Sequence, residues 1–226
     1  MVRIVVTGQA EHHQAAERGT VHLRVASTQD SADDAVEHVA SRHAQIITQT
    51  KALVAEGSAT YWSAGNVVAG ACHEWLKPKP DQDAVKVLRF RAAADVRIKF
   101  RDFGALARFC VAFAVYPEIQ IGSVDWALTD VRRKQLIPEV RSAAALDAAS
   151  RAQAYADTLG LGPVRLVAMY EEGLRPDISH YAPSGPRGPF GGRTGSTGET
   201  APELAVQPED ITITATVTAD FDADPM

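Results

Sequence analysis

Two cysteines are all that the 226 residues contain. Cys72 and Cys110 lie far apart without C-x-x-C spacing, which excludes a disulfide framework and leaves a structural zinc centre short of its usual four ligands. Both read as buried, reduced thiols. Excess positive charge is also missing. A formal net charge of −5 argues against a dedicated nucleic-acid binder, though not against a local basic patch. No apolar run approaches the roughly 20 residues of a membrane-spanning helix. The opening MVRIVVTGQAEHHQ lacks the apolar core and cleavage site of a secretory leader. The expected location is therefore cytoplasmic, or periplasmic or exported if a leader has been trimmed. No cofactor motif is present, and no clear nucleic-acid partner is expected.

What is there suffices for a real core: the length and a hydrophobic fraction of 46% fit one generous domain over residues 1–226. Val2–Thr7 is a short β-branched strand, and Thr20–Ser27 alternates with Val21, Leu23 and Val25 on one side. Ser31, with Asp34 three residues on, opens a helix as a capping box whose Glu is replaced by Asp. That helix places Val36, Val39, Ile46, Ile47, Leu53 and Val54 on a core stripe and stops at Gly57. Ser58–Leu76 reads as two strands forming a hairpin, broken off by Lys77-Pro78-Lys79-Pro80-Asp81.

Lys86–Arg101 carries the most regular strand signal. Leu88, Phe90, Ala92, Ala94, Val96, Ile98 and Phe100 take one parity; Arg89, Arg91, Arg97, Lys99 and Arg101 take the other. This implies one buried and one basic face. Asp102 caps a buried helix, Phe103–Val115, ended by Pro117, and a strand follows over Ile119–Leu128. Asp130–Lys134 reads as a charged turn, with Pro138 in the first turn of a long alanine-rich helix. Leu159-Gly160-Leu161-Gly162 stops that helix before a strand, Val164–Tyr170. A mobile Gly/Pro-rich loop is expected at about 174–205, then a half-buried strand over Ile211–Phe221. The fold class is α+β, with antiparallel or mixed sheets packed by two long helices and one shorter buried helix.

No catalytic constellation emerges. On a strand, Cys72 and Glu74 point away from His73, so the triplet does not act as one group. His38 and His43 point apart on their helix. Glu11-His12-His13 reads as a solvated turn, and His180-Tyr181 falls in the loop. The glycines from Gly185 to Gly198 lack the Lys-Ser/Thr ending and helix of a phosphate loop. The basic residues Arg89, Arg91, Arg97, Lys99 and Arg101 form a possible anion or subunit contact surface. Pairing inside the chain or with a sister subunit is the favoured reading, against a surface facing anions, nucleic acid or membrane headgroups. Arg141, Arg151 and Tyr155 lie off the alanine stripe, as candidates for contacts outside the core.

The order of these elements resembles the SIMPL-domain family, a bacterial family with few defined activities. The resemblance rests on the first strand around Ile4–Gly8, the strand–helix unit Val21–Val54 and the strand ending Lys99-Phe100-Arg101-Asp102. It extends to the stepped Ala144, Ala148, Ala152 and Ala156 with Leu159-Gly160, and to Pro208–Val217. Departures are the missing leader, Tyr116-Pro117 where the family has a glycine-containing turn, and an unusually Gly-rich loop. The resemblance implies a non-enzymatic protein that assembles into homo-oligomers, and supplies no catalytic residues. An alternative is an anion or small-molecule binder, even an enzyme, with the 174–205 loop as a lid and Arg175, Arg187 or Arg193 as anion hooks.

Overall fold

The structure is a computed structural model and describes residues 1–76, 84–175 and 207–225. Among these, three helices and eight strands form two antiparallel sheets, the α+β class expected from the sequence. In chain order they are β1 (Val2–Ala15), β2 (Arg18–Gln29), α1 (Ala32–Ala55), β3 (Ala59–Ala64), β4 (Val68–Leu76), β5 (Val85–Phe100), α2 (Phe103–Ala114), β6 (Ile119–Ala127), α3 (Asp130–Thr158), β7 (Arg165–Glu171) and β8 (Asp210–Ala223). They fall into two units, one of residues 1–14, 129–175 and 211–225, the other of 15–76, 84–128 and 207–210.

The second unit is built on a five-stranded sheet. Its order is β3-β5-β2-β6, with β4 also on β5. β2 and β5 pair from Gly19↔Phe100 to Gln29↔Phe90. Their alternation sends Val21, Leu23 and Val25 to the same side as Ala92, Ala94, Val96, Ile98 and Phe100, all buried. α1 and α2 cover that side with Val39, Ile46, Leu106, Phe109 and Phe113. Each such Leu, Ile, Val or Phe contributes about 1.5–3 kcal/mol by leaving water.

Ser31 caps α1 as expected: its Oγ accepts from the Asp34 backbone N–H at 3.1 Å and donates to the Asp34 carboxylate at 2.7 Å. Gly57 ends the helix at φ +78°. The buried stripe differs from expectation. It runs Ala35, Val39, Ile46 and Thr50, while Val36 and Val54 are exposed. Thr50 hides its hydroxyl by donating to the Ile46 carbonyl at 2.7 Å, so a polar residue takes a core position that hydropathy assigned to its neighbours.

β3 and β4 are not a hairpin. Both run antiparallel to β5, β3 along residues 96–100 and β4 along 85–93. Gly65 donates to the Asp95 carbonyl at 2.8 Å, so the chain breaks stride there without reversing. The reversal comes after β4, where Lys77-Pro78-Lys79-Pro80-Asp81 lies outside the described residues. Thr60 is an extra residue between the pairs Ala59↔Phe100 and Tyr61↔Lys99. This bulge resets the alternation: Trp62 turns to the core and Tyr61 turns away from it. β6 carries a second bulge, with Gly122 and Ser123 opposite the single residue His22.

The first unit holds a three-stranded sheet, β1-β8-β7, covered by α3. Ala144, Ala148, Ala152 and Ala156 are fully buried, as their spacing predicts. Gly8 of β1 faces them so closely that a Cβ there would lie 2.2 Å from the Ala144 carbonyl oxygen and 2.7 Å from the Ala148 Cβ. The helix ends in a Schellman motif: Gly160 takes φ +66°, its N–H bonds the Asp157 carbonyl at 3.2 Å, and the Leu161 N–H bonds the Ala156 carbonyl at 2.9 Å.

α3 starts earlier than expected. Thr129 accepts the Arg132 N–H at 3.3 Å, so Asp130–Lys134 forms the first helical turn and not a loop. Pro138 then lies inside the helix, where it leaves the Lys134 carbonyl without an i+4 donor. β1 is likewise longer than expected, at 14 residues, so Glu11, His12 and His13 belong to a strand and not a turn. The alternation through Ala15 is polar on both faces, which hydropathy reads as loop.

Two measurements test this packing. Gly8→Ala is expected to cost about 1–3 kcal/mol, because a methyl must displace the helix backbone. Far-UV circular dichroism is the appropriate readout, since the tryptophans Trp62, Trp75 and Trp126 all lie in the other unit; an unchanged melt would refute the contact. His43 sits between Val39 and Ile46, with Nε2 buried and without a partner among the described residues. Burial lowers its pKa below the ordinary value of 6.5, since the charged ring is poorly solvated there. The unfolded chain therefore protonates near pH 6.5 while the folded chain refuses the proton until lower pH. Stability is constant above that point and falls as pH drops through it. His43→Leu is expected to shrink the change in urea midpoint between about pH 7.5 and about pH 5.5, followed by tryptophan fluorescence. Equal changes in both proteins would assign the acid loss to other groups.

Candidate functional site

α1 and α2 cover one face of the five-stranded sheet, and the basic residues of β5 stand on the other. The alternation is as expected: Ala92, Ala94, Val96, Ile98 and Phe100 are buried, whereas Arg91, Arg97 and Arg101 are exposed and Arg89 and Lys99 half-buried. Arg101 lies just past the strand end. Direct partners share this face: His22 and Ser63 beside Arg97, Thr20 and Tyr61 beside Lys99, Arg24 beside Asp95, Thr28 and Gly70 beside Arg91.

Charge pairing on this face is partial. Arg89 is neutralised by Asp30 and by Glu74 at 3.6 Å. Arg24 stands 4.0 Å from Asp95, and His22 Nε2 lies 2.7 Å from Asp125. Arg91, Arg97, Lys99 and Arg101 have no side-chain hydrogen bond or ion pair among the described residues. Only Arg89 behaves as internal pairing anticipates.

Cys72, His73 and Glu74 lie on β4 opposite Arg89, Leu88 and Val87. Cys72 and Glu74 share the face opposite the helices with Arg89, and His73 points to the other side. Both thiols are free; Cys72 is half-buried and Cys110 buried, and burial raises the Cys110 pKa. On β1, His13 contacts Thr212 Oγ1 at 3.0 Å and Glu11 at 3.6 Å, with His12 on the opposite face. No group of three His, Cys, Asp or Glu side chains gathers for a metal among the described residues. His180, Tyr181, Arg187, Arg193 and Gly185–Gly198 lie outside the described residues. Arg175 meets Asp220 at 3.1 Å, and Arg141 meets Glu171 at 3.3 Å. Arg151 meets Asp147 at 2.9 Å, and Tyr155 is exposed.

Two features were not anticipated. Arg42 of α1 reaches Glu118 at 2.7 Å and lies 3.8 Å from the centre of the Tyr116 ring. Glu118 is held below the usual carboxylate range by its own backbone N–H and by Arg42. This clamp ties α1 to the α2–β6 connection and gives Tyr116 a structural use. In the other unit, β7 is an edge strand whose Leu166, Val167 and Met169 are exposed. Leu166 and Met169 form, with Ser142, Ala145, Leu146 and Ala149 of α3 and Phe221 of β8, an apolar groove of about 440 Å³. Ala168 lies opposite Asp220 and Met169 opposite Ala219 across a bulge at Val167. Strand burial could have been read from the apolar run there, but not which side stays bare.

Replacing each arginine separates paired from unpaired cations. Arg89→Gln is expected to lower stability by about 1 kcal/mol or less, as for other partly exposed ion pairs. Arg91→Gln and Arg97→Gln should leave the urea midpoint within about 0.5 kcal/mol of wild type. A larger loss at Arg97 would reveal a folding role that its surroundings do not suggest.

No curated protein matches the chain. A family model does: residues 4–221 match SIMPL, described as "Protein of unknown function (DUF541)". The match takes in β1 through nearly all of β8, and thus both units, so the chain belongs to the SIMPL family.

Proposed function

We propose that this SIMPL-family chain is a non-enzymatic protein that self-assembles, and that β7 is where copies meet. One observation carries the reading: β7, an outer strand among the described residues, is flanked by exposed apolar side chains. Leu166 is 55% exposed and Leu146 beside it 70%. An edge strand offers unpaired N–H and C=O groups along its length, and soluble proteins ordinarily blunt such edges with charge or a covering element. Here Arg165 and Glu171 occupy only the two ends.

Two β7 strands meeting edge to edge would join their three-stranded sheets and bury Leu146, Leu166 and Met169 of both copies. A twofold arrangement of this kind needs one self-complementary patch. The non-enzymatic part rests on a family description without an assigned activity, and on the division of Cys72, His73 and Glu74 between two sheet faces.

Light scattering on the purified chain at micromolar concentration tests this directly. Wild type is expected to exceed the monomer mass, and Leu166→Glu combined with Met169→Glu is expected to return it to monomer with an unchanged circular dichroism melt. A monodisperse wild-type monomer would sink the proposal. An oligomer indifferent to both substitutions would move the interface elsewhere.

A further inference from the structure

The face of the five-stranded sheet opposite the helices presents cations that no described side chain neutralises. Its carboxylates are already engaged, Asp95 with Arg24, Asp125 with His22, and Asp30 and Glu74 with Arg89. Arg91, Arg97 and Lys99 remain on one strand without partners among the described residues. Their spacing limits what fits. Along an extended strand, Arg97 and Lys99 are about 7 Å apart and Arg91 about 27 Å from Lys99. A single small anion does not span that distance; a chain of repeated negative charges does.

The rest of the face points to the kind of chain. Between Arg91 and Arg97 the face carries first Ala93, opposite Ala26 on one side and Val68 on the other, and then Asp95, whose charge Arg24 offsets at 4.0 Å. Beside Lys99, the Thr60 bulge turns Tyr61 outward, where it is 59% exposed. Sheets that hold single strands combine cations along the backbone with an exposed ring on which a base stacks. An acidic protein surface would use the cations and leave the ring without a base to stack on.

We propose that this face binds single-stranded nucleic acid, with Arg91, Arg97 and Lys99 on phosphates and Tyr61 against a base. The net charge of −5 confines the interaction to this local patch, and its phosphate contacts make it salt-sensitive. The surface lies in the unit that does not contain β7, so its test is separate from that of self-assembly.

Fluorescence anisotropy of a labelled oligothymidylate with the full-length chain supplies the test. Three phosphate contacts give a slope of log K against log salt of about −2. Arg91→Glu combined with Arg97→Glu is expected to weaken binding at least tenfold and to flatten that slope. Tyr61→Ala should weaken binding about tenfold, while Tyr61→Phe stays near wild type. Absence of wild-type binding at about 50 mM salt overturns the proposal, as does binding indifferent to the arginine pair. Equal binding of heparin and oligonucleotide, both insensitive to Tyr61→Ala, also overturns it in favour of a general polyanion surface. Unchanged circular dichroism melts would show that the variants remain folded.

Discussion

A glycine lying on a helix backbone governs the first unit. Gly8 brings β1 into contact with α3 at Ala144 and Ala148, closer than any side chain permits. Once the strand and helix approach so far, the remaining helical positions over the sheet must be small as well, and Ala152 and Ala156 satisfy this. Dispersion and exclusion of water from closely apposed surfaces take the place of interdigitated large side chains. The Schellman stop places Leu161 against the same cluster. Gly162 then bonds the Asp224 carbonyl at 2.7 Å, tying the helix exit to the end of β8.

Much of this was legible in the chain. The four alanines repeat every four residues, and only a helix puts such positions on one face. The alternation in β5 and β2 was equally readable, since period two over so many residues has one interpretation. Signals failed where two local rules compete. Pro138 suits a first turn, yet Thr129 supplies the better cap and starts the helix sooner. Val36 and Val54 are more apolar than Thr50, but rotational position on α1 decided burial. Gly65-Asn66 has the composition of a turn, and its hydrogen bond to β5 makes it a mere interruption. The first miss is local, whereas the other two concern tertiary partners that the sequence does not name.

The candidate surface divides in the same way. That β5 has a basic face follows from parity. Which cations find partners depends on Asp30, Glu74, Asp95 and Asp125 arriving from other segments. The outward turn of Tyr61 depends on one inserted residue, Thr60, whose effect on parity is invisible without the pairing register. The exposed side chains of β7 were hidden for a related reason: an apolar strand reads as buried until the sheet order leaves it without an outer neighbour among the described residues.

The interrupted partner of β5 has a consequence for how the protein breathes. Residues 90–100 lie between β2 and the β3–β4 line and under the helices. Among the described residues, 85–89 pair only with β4, and Trp75, Val85 and Leu88 there stay exposed. A two-stranded ribbon is marginal in water, whereas the inner segment opens only with the core. One continuous strand thus spans two regimes of amide exchange, fast at its outer end and slow at its inner end, with the boundary near Phe90.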